Sequence, residues 1–86
     1  MKNIKITVTL KLFSGIHRDN GIDDYDMSTG IVMEVTKGTR LRKILRSAGI
    51  KHFSGYVFFR NGERIGPWAR LMHGDEISCL KPAAGG

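Results

Sequence analysis

The hydrophobic pattern at the start of the chain has a period of two. Apolar and polar residues alternate over 4–12, which is typical of a strand with one buried face. A second, shorter alternation over 31–35 predicts a second strand. The polar, glycine-containing stretch between them, 13–30, is interpreted as a long connection with room for a helical turn.

The pattern changes to a helical period after Gly38. Apolar residues recur at i, i+3, i+4 and i+7, which predicts a helix with one apolar face. These residues are Leu41, Ile44, Leu45 and Ala48. The hydroxyl of Thr39 is expected to cap the start of the helix, and Gly49 is placed to end it.

The second half of the chain predicts a hairpin. An aromatic and β-branched run over 56–60 ends at Asn61-Gly62, which is the strongest short hairpin signal in a sequence. Residues 63–65 then form the short returning strand. The segment that follows predicts a turn, a helical turn carrying Trp68 and Leu71, and a second turn.

The last strand is predicted over 77–81, and Pro82 prevents it from continuing as a normal ladder. Together the elements predict an α+β fold, with a mixed sheet of four to five strands and one main helix packed across one face. The 86 residues leave room for a single core. The expected organisation is a folded domain over 1–81 and a flexible tail over 82–86.

Composition places the chain among folded globular domains, since it is 41% hydrophobic and 26% charged. Its single cysteine, Cys79, excludes an internal disulfide framework, and Met1 is followed by charged and polar residues instead of a signal-peptide run. No apolar stretch approaches the ~20 residues that cross a bilayer. We therefore expect a soluble, cytoplasmic protein that does not associate with membranes.

The charge balance is strongly basic, with a formal net charge of +6 and a pI near 9.9. A local concentration of cations lies on and before the predicted helix, at Lys37, Arg40, Arg42, Lys43 and Arg46. Positive charge in the first turn of a helix is disfavoured by the helix dipole. Two interpretations stay open at this point: a solvated helix face, and a surface that docks on an acidic partner.

Several motifs in this order resemble the ubiquitin-like β-grasp sulfur carriers. They are the helix start "GTRLRKIL", the hairpin "FFRNGE", the turn "HGDEI" into the last strand, and the terminal Gly85-Gly86. Members of this family include the small subunit of molybdopterin synthase and the thiamine-biosynthesis sulfur carrier. The resemblance covers nearly the whole chain except 13–30, and "KPAAGG" is more similar to the molybdopterin-synthase branch.

The resemblance implies a function for the tail. In this family an E1-like activating enzyme uses ATP and Mg to adenylate the C-terminal carboxylate, and a sulfur donor then converts it to a thiocarboxylate. Gly86 would carry the sulfur, while Gly85, Ala84 and Ala83 keep the tail slim enough for a narrow channel. Pro82 would stiffen its departure from the sheet. The catalytic groups belong to the partner enzymes, so the chain itself is expected to be no enzyme.

No converging set of catalytic or metal-binding residues is apparent in the sequence. The histidines His17, His52 and His73 are scattered and lack a second ligand at metal spacing. Cys79 shares a strand parity with Ile77 and is interpreted as a small core residue. We therefore predict no metal and no permanently bound cofactor.

Strand parity predicts a docking surface. If Tyr56 and Phe58 face the core, Val57 and Phe59 lie on the outer face, and the same reasoning places Leu80 outward beside the tail. These residues are expected to contact the activating enzyme. A one-residue slip of register would reverse every assignment.

The expected partners are the E1-like enzyme and a sulfur donor, either a cysteine desulfurase or a rhodanese-like protein. A larger synthase subunit is a further candidate partner, and nucleic acid is not an expected one. Two alternatives remain open: a ubiquitin-like modifier conjugated to lysines, and a basic β-grasp module that binds RNA through the Arg40 to Arg46 face. The basic charge differs from the acidic or near-neutral charge frequent in the family.

Overall fold

The computed structural model of the protein describes residues 3–82. Five strands and two short helices follow one another in the order expected from the sequence. They are β1 (Lys5–Leu12), α1 (Ile16–Asp19), β2 (Ile31–Thr36), α2 (Leu41–Ser47), β3 (Val57–Arg60), β4 (Glu63–Ile65) and β5 (Glu76–Leu80). The α+β class and the single main helix are thereby confirmed.

The strands form one mixed sheet in the order β2-β1-β5-β3-β4. The first and last strands, β1 and β5, lie side by side and run parallel, with Leu10 opposite Ile77. All other neighbouring pairs are antiparallel. The C-terminal strand is therefore central in the sheet and is supported by a neighbour on each side.

The core lies between the sheet and α2. Every second residue of β1 is buried, and these residues pack in one cluster with the apolar face of α2. The buried residues are Ile6, Val8, Leu10, Leu12, Ile16, Leu41, Ile44, Leu45, Ile50, Phe58, Leu71, Ile77 and Cys79. The period of two in the strand and the helical period in α2 thus converge on one apolar layer.

The start of α2 differs from the prediction. The Thr39 hydroxyl does not cap the helix, because it donates to the backbone carbonyl of Thr36 (2.6 Å). The first N–H groups of the helix are satisfied instead by backbone carbonyls of a neighbouring segment. Leu41 donates to Ala69 and Arg42 donates to Pro67, both at 2.8 Å. The cap is therefore tertiary, which local sequence does not reveal.

The end of α2 agrees with the prediction. Gly49 has a φ of 93°, and its N–H bonds the carbonyl of Arg46 (3.0 Å). The N–H of Ile50 bonds the carbonyl of Leu45 (2.9 Å). This pair of bonds is the Schellman motif, in which glycine adopts the left-handed conformation at low steric cost.

The predicted hairpin is confirmed, but the prediction of a helical turn after it is wrong. Asn61 and Gly62 both have positive φ, as a type I′ turn requires, and β3 pairs with β4. The segment carrying Trp68 is a tight turn, closed by a bond from the Ala69 N–H to the Gly66 carbonyl (3.1 Å). The chain then continues to Arg70, which forms an isolated β-bridge with Arg40. The segment does not form a helical turn because its carbonyls accept hydrogen bonds from the start of α2.

Within residues 3–82, no helix is long and apolar enough to cross a membrane.

Candidate functional site: a hollow on the outer face of the sheet

The outer face of the sheet carries side chains from β3 and β5. Ile77 and Cys79 of β5 are fully buried against the core, so Ser78 and Leu80 face outward and are half-buried. On β3, Phe58 is 2% exposed and points into the core. Val57 and Phe59 consequently lie on the same outer face as Leu80, which is the parity expected from the sequence.

The pairing register brings two of these side chains together. β3 and β5 run antiparallel with Phe59 opposite Ser78 and Val57 opposite Leu80. Phe59 and Leu80 are therefore diagonal neighbours, within reach for aromatic side chains. They line a hollow of about 460 Å³, here called the outer-face hollow. Its lining residues are Phe13, Phe59, Asn61, Gly62, Glu76, Ser78 and Leu80.

Phe13 is a member of the hollow that sequence reasoning missed. Its N–H bonds the carbonyl of Cys79 (2.9 Å), which extends the β1 to β5 pairing by one residue beyond Leu12. Phe13 is 38% exposed. The signal was present in the sequence, because outward parity on β1 runs through the odd-numbered positions and reaches Phe13 if the alternation is continued.

The lining of the hollow combines an apolar floor with a polar rim. Three large apolar side chains form the floor, and Glu76 is the one charged residue among those that line it. An open apolar depression of this kind is typical of a surface that receives an apolar side chain from another protein. The hollow lies on the strand that leads directly toward the C-terminal tail.

Val57 lies on the outer face of the sheet but does not line the outer-face hollow. It borders a second depression of about 530 Å³ at the β3–β4 end of the sheet, with Phe53 and Ile65. Val57 still lies directly opposite Leu80. The three predicted docking residues thus share one face but divide between two depressions.

An exposed ion pair lies at the base of the tail. Lys81 Nζ lies 2.6 Å from the Asp19 carboxylate at the end of α1. The hydrogen bond from Lys81 lowers the pKa of Asp19 below its ordinary value. Pro82 is the last described residue. The predicted sulfur-bearing Gly86 and the tail residues Gly85, Ala84 and Ala83 lie outside the described residues.

Cys79 lies in the core, as the sequence suggested. Its side chain is fully buried, and burial raises the pKa of its thiol to about 12. A protonated thiol without solvent access is neither a nucleophile nor a sulfur acceptor at neutral pH.

The histidines do not converge on a site. The ring of His73 accepts a hydrogen bond from the Thr7 N–H (3.1 Å) through Nδ1, while the ring of His17 packs against Tyr25 (5.1 Å between centroids). In the part of the chain that the structure describes, no group of three or more His, Cys, Asp or Glu residues is arranged to hold a metal ion.

The cations of α2 are associated with an aromatic residue that sequence reasoning placed elsewhere. The guanidinium of Arg42 lies 4.5 Å from the centre of the Trp68 ring, and that of Arg40 lies 5.7 Å from it. Both distances are within the range of cation–π attraction. The helix face is therefore a mixed basic and aromatic surface beside the start of α2.

Comparison with known proteins gives a likeness of structure alone. No protein-family model and no curated protein sequence matches the chain. The crystal structure of SAMP1 from Haloferax volcanii superimposes with a TM-score of 0.67 at 19% identity, covering 93% of this chain and 99% of SAMP1. The solution structure of the Haloferax volcanii HVO 2177 protein gives a TM-score of 0.67 at 20% identity, covering 95% of this chain and 88% of that one. These likenesses show that the chain has the ubiquitin-like β-grasp fold.

Proposed function

We propose that the protein is a ubiquitin-like carrier whose Gly86 carboxylate is activated by an E1-like enzyme and then bears sulfur as a thiocarboxylate. The observation that carries the proposal is the outer-face hollow on β5. It is an apolar surface on the strand that runs into the segment ending in Gly85-Gly86. The β-grasp fold shared with SAMP1 supports a carrier or modifier of the ubiquitin-like type.

The first chemical step converts a poor electrophile into a good one. The Gly86 carboxylate attacks the α-phosphorus of ATP, pyrophosphate leaves, and an acyl-adenylate forms. The partner enzyme supplies ATP, Mg and the groups that stabilise the developing charge. Gly85 and Gly86 lack the Cβ atoms that would collide with a channel built for backbone.

The second step introduces sulfur. The terminal sulfur of a persulfide on a cysteine desulfurase or rhodanese-like protein attacks the acyl carbon, and AMP leaves. A second thiol on the donor system then cleaves the resulting acyl disulfide, which releases the thiocarboxylate and leaves a disulfide on the donor. Cys79 takes no part, because its thiol is buried and protonated.

The outer-face hollow serves recognition. Phe59, Leu80 and Phe13 offer an apolar floor into which an anchoring side chain of the activating enzyme inserts, since buried anchors near the centre of an interface contribute most of the binding energy. Leu80 is the last residue of β5, so the hollow lies directly before the tail in the chain. We expect docking and delivery of the carboxylate to be linked for this reason.

The destination of the sulfur is proposed from the tail. "KPAAGG" is similar to the molybdopterin-synthase branch, which favours molybdopterin biosynthesis over thiamine biosynthesis, with a larger synthase subunit as the acceptor. The alternative is transfer of the same activated carboxylate to a lysine amine, as in a protein modifier. The β-grasp likeness supports both, because ubiquitin-like proteins of this type include modifiers and sulfur carriers.

The proposal is tested with ATP–pyrophosphate exchange catalysed by the E1-like enzyme of the same organism. Removal of Gly86 is expected to abolish exchange while the melting temperature is unchanged. Phe59→Asp and Leu80→Asp are expected to raise KM at least tenfold, because a charge in the hollow is left desolvated at the interface. Val32→Asp is the matched control, since Val32 is 59% exposed on the edge strand β2, away from the hollow.

Two results would contradict the proposal. Exchange that survives removal of Gly86 would exclude the tail as the activated group. Equal KM values for the Phe59→Asp and Val32→Asp variants would exclude the hollow as the docking surface, even if the tail is activated.

A further inference from the structure

Trp68 is the most conspicuous exposed side chain outside the outer-face hollow. Its side chain is 60% exposed, although tryptophan is usually largely buried. The guanidinium of Arg42 lies over its ring at 4.5 Å and that of Arg40 lies at 5.7 Å. A guanidinium that lies over an indole ring keeps N–H donors free for an external oxyanion.

The backbone holds this arrangement in place. Trp68 is flanked by Pro67 and Ala69, whose carbonyls accept hydrogen bonds from the first two residues of α2 (2.8 Å each). Arg70 pairs with Arg40 through a β-bridge, and its guanidinium donates to the Gly38 carbonyl (3.2 Å). We call Arg40, Arg42, Trp68 and Arg70 the basic–aromatic cluster. These bonds fix the backbone positions of its members, which limits the conformational entropy that is lost when a ligand binds.

The charges of the cluster are not neutralised within the described chain. The two ion pairs found in residues 3–82 join Arg60 to Asp75 and Lys81 to Asp19, and neither includes the cluster. No Asp or Glu lies between Glu34 and Glu63 in the sequence. The cations Lys37, Arg40, Arg42, Lys43, Arg46, Lys51 and Arg60 fall in that interval. Positive and negative charge are therefore segregated along the chain.

The electrostatics of the helix do not account for the placement of these cations. The first turn of α2 contains no acidic residue, and the helix dipole disfavours positive charge there. The backbone N–H groups at the start of the helix are occupied by carbonyls of Pro67 and Ala69, so the helix terminus itself is not the binding element. The side chains are what the cluster offers to a partner.

We propose that the basic–aromatic cluster binds single-stranded nucleic acid, with phosphates on the arginines and a base against Trp68. An acidic protein segment would use the cations alone and would leave the exposed indole without a role. A nucleic acid strand uses both parts, because each nucleotide carries a phosphate and a flat base that stacks on aromatic or guanidinium planes. The exposed cations Lys43 and Arg46 lie further along α2, where they are available to other phosphates of the same strand.

The inference is independent of the proposed carrier activity. The cluster shares no residue with the outer-face hollow, and it does not require Gly86. It favours the RNA-binding alternative that the sequence left open over the expectation that nucleic acid is not a partner, because Trp68 joins the arginines. A carrier that fails to be activated could still bind a strand through this surface, so the two proposals fail separately.

The test uses Trp68 as its own probe, since it is the only tryptophan of the chain. An oligouridylate of about 12 nucleotides is titrated into the full-length protein while tryptophan fluorescence is recorded. We expect saturable quenching as a base stacks on the ring. The logarithm of the binding constant should fall with the logarithm of salt concentration with a slope of about −2, for about three phosphate contacts on a single strand. Oligoglutamate of equal charge is expected to bind at least tenfold more weakly, with little quenching.

Matched charge variants locate the binding surface. Arg40→Gln with Arg42→Gln is expected to weaken binding at least tenfold and to reduce the salt slope by about 1.4, since two phosphate contacts are lost. Arg18→Gln with Lys51→Gln removes the same charge from exposed positions outside the cluster and should change binding less than threefold. Trp68→Leu, measured by anisotropy of a labelled strand, should weaken binding about tenfold.

Any of three results would overturn the proposal. Oligoglutamate that binds as tightly as the oligouridylate would identify an acidic protein as the partner class. Equal losses in the two charge variants would show that net charge alone attracts the strand. Absence of quenching in the wild-type protein up to millimolar nucleotide would exclude stacking on Trp68, and this result needs no variant to fold.

Discussion

Phe58 and Phe59 are adjacent in the chain and serve opposite faces of the sheet. Phe58 is 2% exposed in the core, whereas Phe59 lines the outer-face hollow, because successive strand side chains point to opposite sides. Strand alternation predicted that the two side chains lie on opposite faces, but which of them is buried depended on the register. The same condition applied to Ile77 and Cys79, which are fully buried in the structure.

Two residues escaped prediction for different physical reasons. Phe13 was placed in the connection after β1, although its parity already put it on the outer face. Trp68 carries no such signal, because its position beside Arg40 and Arg42 depends on hydrogen bonds between segments about 25 residues apart in the sequence. Local pattern predicts faces of elements, while contacts between irregular segments come from tertiary structure.

Burial of the Cys79 thiol predicts how the stability of the protein depends on pH. Burial raises the pKa of its thiol from 9.0 to about 12, so the folded protein keeps the proton when the unfolded chain has lost it. The free energy of unfolding should therefore decrease as pH rises from about 9 toward 12. Iodoacetamide at pH 8 should label Cys79 only when the protein unfolds, so labelling of the native protein should be much slower than labelling in urea.

The control for this pH dependence is the Cys79→Ala variant, which removes the thiol and leaves the other titrating groups in place. Urea melts at several pH values should show a smaller alkaline loss of stability in the variant than in the wild type. Rapid labelling of native protein, or identical pH profiles, would mean that the thiol is accessible to solvent.

At the scale of elements, α2 shows what sequence can and cannot predict. Its apolar stripe and its glycine stop were predicted directly, since both depend on residues within or next to the helix. Its start was assigned to the wrong cap, because the carbonyls of Pro67 and Ala69 complete it from another segment. The same long-range bonds position the basic–aromatic cluster, so one unforeseen contact explains both departures.

The left-handed conformation of Gly49 predicts the cost of replacing it by alanine. It adopts a φ of 93°, and no heavy atom lies within 4 Å of the point that a Cβ atom would occupy. The cost of Gly49→Ala is therefore backbone strain alone. We expect a loss of about 1 kcal/mol in the free energy of unfolding, measured by chemical denaturation.

Gly55 is the matched control for this substitution. It also has open space around its Cβ position but does not have a left-handed φ. Gly55→Ala should be neutral, or stabilising by up to about 1 kcal/mol, because alanine restricts the unfolded chain. Equal losses at the two glycines would contradict the assignment of the helix stop to left-handed geometry.

At the scale of the whole molecule, the fold separates two surfaces. The outer-face hollow lies on β3 and β5 beside the base of the tail, whereas the basic–aromatic cluster lies beside the start of α2. Sequence alternation predicted which residues face the core, but it does not determine which strands are neighbours. The parallel pairing of β1 with β5 places the last strand at the centre of the sheet and gives the tail a rigid origin.

The intact mass of the protein tests whether Gly86 carries sulfur. The chain is purified from its own cells, or incubated with its E1-like enzyme, ATP, Mg and a persulfide donor, and the modified residue is located by fragmentation. We expect a gain equal to exchange of one oxygen for sulfur, on Gly86, which is absent when ATP is omitted. An unmodified mass under conditions that convert a known carrier, or a mass shift on another residue, would contradict it.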